Sequence, residues 1–84
     1  MIIASVFLGG KLKMFIQMYV IVLNDGTEIE VAENYHLPME QSLFAVYEKA
    51  KPTKAVKAMN RMGETVCVLK KNIRYIKMTH VERI

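Results

Sequence analysis

The chain of 84 residues holds one cysteine, two prolines, two histidines and two serines, and those scarcities exclude most chemistry. A single thiol rules out a disulfide framework and leaves no Cys/His cluster for structural zinc. His36 and His80 lie far apart, neither HExxH nor CxxC occurs, and no metal site is expected. Ser5 and Ser42 fall outside any Gly-x-Ser-x-Gly elbow, so neither reads as a nucleophile. Gly9-Gly10-Lys11 lacks the spacing of a phosphate loop and the helix that should follow one. No apolar run reaches the roughly 20 residues of a membrane span, because Gly9, Gly10, Lys11 and Lys13 divide the apolar stretches 1–8 and 14–23. Those lysines also follow the first apolar run, whereas a secretory leader places its charge ahead of it. The expectation is a non-enzymatic protein with no cofactor, small-molecule substrate or membrane contact. Its lone thiol suits a reducing cytoplasm.

What is present is a chain 52% hydrophobic and 24% charged, too apolar for a disordered tail. The length allows one thin core, hence a single domain over 1–84. Met14 and Met18 are alternative starts, and residues 1–17 read as a strand or hairpin extension of that domain. The net charge of +4 conceals a division. Residues 1–48 carry two lysines against six acids, whereas residues 49–84 carry ten Lys/Arg against two acids.

β-Branched and aromatic residues dominate the first part, in Ile2, Ile3, Val6 and Phe7 and again from Phe15 to Val22. Gly9-Gly10 marks a hairpin between the two runs, and Asn24-Asp25-Gly26 marks a second. Thr27-Glu28-Ile29-Glu30-Val31 alternates with period two, which turns Ile29 and Val31 inward and Glu28 and Glu30 to water. After Pro38 the period lengthens. Met39, Leu43, Val46, Tyr47 and Ala50 share one helical arc, which Pro52 ends near Ala50. No Ser, Thr, Asp or Asn precedes Pro38, so this helix is expected to start with a weak cap. A second helix is predicted over Thr53–Met62, with Ala55, Val56, Met59 and Met62 inward and Gly63 as its left-handed cap. Val66–Leu69 is apolar throughout and reads as a strand covered on both sides, and Ile73–Val81 reads as the last strand. The order β-β-β-α-α-β-β gives an α+β domain, an antiparallel sheet of four to five strands with one or two helices on one face.

Cys67 sits in an apolar run and is expected to be buried as a small hydrophobe. Glu28, Glu30 and Glu33 could be taken for a carboxylate cluster, but no third ligand or general acid accompanies them, and they read as the wet face of the hairpin. The basic residues are the better candidates. Lys51, Lys54, Lys57 and Arg61 recur at helical spacing and would form one stripe; Lys70, Lys71, Arg74 and Lys77 follow around Tyr75. Such a surface would attract nucleic acid through counterion release, although no RNP aromatic motif or GXXG loop accompanies it. The competing reading is a solvated helix face and a lysine-rich turn. Phe44 falls on the polar side of its helix, between Glu40 and Glu48. There it either packs against the second helix or offers a contact to a partner.

The stretch Val20-Ile21-Val22-Leu23-Asn24-Asp25-Gly26-Thr27-Glu28-Ile29-Glu30-Val31, with Val68-Leu69-Lys70-Lys71-Asn72-Ile73-Arg74-Tyr75-Ile76, resembles short accessory proteins encoded in phages and prophages of Gram-positive bacteria. These often join a DGT hairpin to a helix and a closing strand with an Asn-Ile bend. The likeness covers about residues 18–78 and implies a regulatory protein that binds a host or phage component; it carries no catalytic residues. Three classes are thus in play. The first is a module that binds another protein or its own copy through a sheet edge, the charged surface or Phe44. The second is a nucleic-acid binder using the basic half, and the third, a small enzyme, lacks any convergent polar set.

Overall fold

The computed structural model describes residues 4–8 and 11–83, with side chains from Phe15 onward. Its strands are β1 (Ala4–Leu8), β2 (Lys11–Leu23), β3 (Glu28–Asn34), β4 (Ala55–Met59), β5 (Thr65–Leu69) and β6 (Ile73–Arg83). One α-helix, α1 (Leu43–Lys49), lies between β3 and β4, and short 3-10 turns occupy Met39–Gln41 and Lys70–Asn72. All pairings are antiparallel, so the α+β class expected from the block order of the elements is what the chain adopts. The sheet runs β1-β2-β3-β4-β5, and β6 joins it through β2. Residues 16, 17 and 19–22 of β2 pair with both β3 and β6, so this strand lies between them. The Gly9-Gly10 turn lies outside the described residues.

Period two governs the core. Tyr19 pairs with Val31 and Ile21 with Ile29, and the same side receives Val56, Val68, Ile73 and, from the helix, Leu43. Val31, Val56 and Ile21 are fully buried, each contributing about 1.5–3 kcal/mol. An exposed ion pair contributes about 0–1 kcal/mol, so apolar burial rather than surface charge positions the strands. The alternate residues Ile16, Met18 and Ala32 form a smaller cluster on the other face.

The predicted second helix is the main correction. The segment expected as Thr53–Met62 is a turn, then β4, then the tip of the β4–β5 hairpin. Gly63 does take positive φ, at 82°, but in a hairpin. The Gly63 N–H donates to the Asn60 carbonyl, and the Asn60 N–H to the Glu64 carbonyl. The β2–β3 turn repeats this pattern, with Gly26 donating to Leu23, Leu23 donating to Thr27, and φ of 90° at Gly26. Left-handed glycine closes both helices and hairpins, so Gly63 marked a stop without naming the element it stopped. Lys, Ala and Met favour a helix intrinsically, but five paired residues along β5 and burial of Val56 outweigh that preference.

Two burial expectations are also overturned. Cys67 is exposed, because Val66 and Val68 turn inward and Cys67 faces outward opposite Lys57; Leu69 is likewise 37% exposed. In α1 the packed face is Leu43, Phe44, Tyr47 and Ala50, while Met39 and Val46 stand in solvent. The chain after Pro38 makes a 3-10 turn and breaks at Ser42, so Met39 never joins the helix and the inward arc rotates by one residue.

Candidate protein-binding groove

Ser42 starts α1. Its Oγ accepts from the Ala45 N–H at 3.3 Å, the N-cap that the reading from Pro38 did not place. A second acceptor comes from β3, where Glu33 shares the inner side with Ile29 and Val31. Its carboxylate takes the Leu43 N–H at 2.9 Å and the Tyr19 hydroxyl at 2.5 Å. Glu33 is therefore no member of a wet acidic face: it ties β2, β3 and the first turn of α1 together. Burial, and then the hydrogen bond and charge of Glu33, push the Tyr19 phenol well above its ordinary range. Phe44 packs edge-on against the Tyr19 ring, centroids 5.2 Å apart, and so uses β2 in place of the absent second helix.

Beside these anchors lies a groove of about 780 Å³. Gln17, Tyr19 and Phe44 line it from the sheet and helix, Met78 and Val81 from β6, and Tyr35, Leu37 and Met39 from the link between β3 and α1. Glu33 and Glu48 are its acidic groups. Met39 is 83% exposed, Met78 54%, Tyr35 49% and Val81 41%, so half of the eight large exposed hydrophobics converge here. Scattered apolar residues on a surface need no explanation, whereas a contiguous set around a concavity is the form of a binding site. Period two in β6, together with the groove-facing position of Glu33, would have found part of this lining from sequence; the exposed Met39 had no such signal.

The basic candidates do not form one stripe. Lys57 points outward from β4 beside Cys67, and Lys77 outward from β6 opposite Val20. Arg61, at the β4–β5 tip, pairs with Glu30 of β3 at 3.1 Å and with Glu82 of β6, and Glu82 also meets His80 at 2.6 Å. Lys70 Nζ donates to the carbonyls of Glu48 and Ala50 at the end of α1 and lies 5.1 Å from the Tyr47 ring centroid. Arg74 donates to the Asn24 carbonyl at 2.5 Å. What does gather is one end of the domain. The Lys70 and Lys71 N–H groups bond the Lys54 and Pro52 carbonyls, which brings Lys51, Lys54 and Lys71 into one region. The Asn24 amide closes that end on the Lys71 carbonyl at 2.8 Å.

Among the described residues no group of three His, Cys, Asp or Glu could hold a metal ion, and no helix is long and apolar enough to cross a membrane. No family model, curated protein or solved structure matches the chain, and the geometry of its surface carries the functional argument.

Proposed function

We propose that this chain is a non-enzymatic protein-binding module that takes an apolar segment of a partner protein into the groove between α1 and β6. The observation that carries the reading is the convergence of Tyr35, Met39, Met78 and Val81, all exposed, on one concavity. Methionine suits such a site, because an unbranched thioether repacks around different shapes. The groove floor is fixed by the Glu33, Tyr19 and Leu43 bonds while its rim side chains are exposed, a combination suited to recognition. A cytoplasmic accessory protein of phage type is the setting we propose, on the strength of the hairpin and closing-strand patterns quoted above.

The test is crosslinking in the native host from a photoreactive residue at position 39. A specific crosslinked partner is expected, lost when Met78→Asp is added and retained with Lys57→Ala on the opposite face. Equal recovery from both variants would place the contact elsewhere and overturn the groove reading. Nucleic-acid binding remains the second reading, now favoured only by the gathering of Lys51, Lys54 and Lys71 at one end.

A further inference from the structure

The groove opens along β6, and β6 has an unusual position. It pairs only with β2 among the described strands, so the backbone groups along its other edge are unpaired by the sheet. It runs for 11 residues, and eight of them are exposed. An open edge of that length is a template for an added strand.

The side chains along this edge sort by face. Ile76 and Met78 pair with Ile21 and Tyr19, and Val81 with Gln17, which puts them on the inner side, Met78 and Val81 lining the groove. Tyr75 and Lys77 pair with Val22 and Val20 on the outer side. The charges not already engaged within the fold are positive there. Arg74 is held by Asn24 and Glu82 by Arg61 and His80, whereas Lys77 and Arg83 make no ion pair among the described residues. Acidic groups face the groove from elsewhere: Glu48 from α1 and Glu33, already engaged, from β3. A carboxylate entering from the inner side would meet Glu48, and a carboxylate on the outer side would meet Lys77.

We infer that β6 accepts, as an added strand, an extended partner segment in which apolar side chains alternate with acidic ones, apolar toward the groove and acidic toward Lys77. The inference rests on the groove reading and specifies its ligand. Register shifts between β2 and β6 at Gln17/Tyr19 and Val22/Leu23 leave Tyr75–Met78 as the regular stretch of the edge. Bulges and lysines discourage indiscriminate pairing, so a strand that binds here must match the alternation and the charge.

The probe is a blocked peptide alternating glutamate and valine, compared with one alternating lysine and valine and one of the first composition with its valines in a single block. Nuclear magnetic resonance titration of the full chain reads the amides of residues 74–82 and the methyls of Met78 and Val81. The glutamate–valine peptide is expected to shift these signals saturably, and the other two peptides are not. Lys77→Glu should weaken that binding about fivefold, from loss of a cross-strand attraction and gain of a repulsion. Met78→Asp should abolish it while leaving the thermal transition near the parent value, since Met78 is half exposed. Equal binding of the lysine peptide, indifference to Lys77→Glu, or shifts centred on β5 would each overturn the proposal. No binding by any peptide overturns it as well, and if crosslinking from position 39 then persists, the groove reading survives without the added strand.

Discussion

Glu33 is the residue on which the helix, the sheet and the groove depend. Its parity was legible: it follows Ile29 and Val31 at intervals of two, so it had to share their face. What sequence could not supply was the donors, since Tyr19 and Leu43 are 14 and 10 residues away and meet it only after β2 and β3 pair. Tyr19→Phe removes one of those donors and should cost about 1.5–3 kcal/mol in chemical denaturation, the range for a hydrogen bond to a charged group. The pH dependence has a definite sign. The unfolded phenol titrates near its ordinary value of 10.0, whereas the folded one titrates higher. This contribution is therefore complete below about pH 10 and declines as pH rises toward the folded value. Denaturant midpoints measured across that range should fall in the parent and fall less in Tyr19→Phe. Ser42→Ala removes the N-cap acceptor and should cost about 1 kcal/mol by the same measurement. Cys67 was misjudged because the surrounding run is apolar in composition, although strict alternation with Val66 and Val68 already placed it outside.

For whole elements, the strands with clean alternation and glycine turns were readable, and the segment from Thr53 to Met62 was not. In that segment Val56 faces inward in either conformation, so it cannot discriminate. Met62 can. A helix would bury it, but the hairpin leaves it 83% exposed. Met62→Ser should therefore change stability by no more than about 0.5 kcal/mol, whereas Val56→Ala should cost about 2 kcal/mol. Thermal or denaturant unfolding of the two variants checks the pair. The β4–β5 tip has its own fastening, because Arg61 reaches both Glu30 and Glu82. With its side chain half exposed, Arg61→Ala should cost about 1 kcal/mol at most, and the difference should shrink as salt is added.

Across the molecule, the acidic first half and basic second half of the sequence do not become two opposed surfaces. Strand order interleaves them: acidic β3 lies between β2 and β4, and Arg61 draws charge from both halves into one network. The polarity survives where Lys51, Lys54 and Lys71 gather. Any binding of a single-stranded oligonucleotide should therefore depend on these three. Replacing them together by alanine should reduce the salt slope by about 2, at roughly 0.7 per phosphate contact, while Lys57→Ala should not change it. Fluorescence anisotropy over a salt series decides this. The same strand order sets a timetable. Strand β2 is made early but borders β6, whose Arg83 pairs with Phe15 across almost the whole described chain. Contacts so distant in sequence form slowly, because the intervening loop must close first. Until β6 has been synthesised, β2 would stand with one flank bare, and Met78 and Val81 would not yet exist to wall the groove. Under the proposed reading, the groove would be complete only after β6 has been made and has paired with β2.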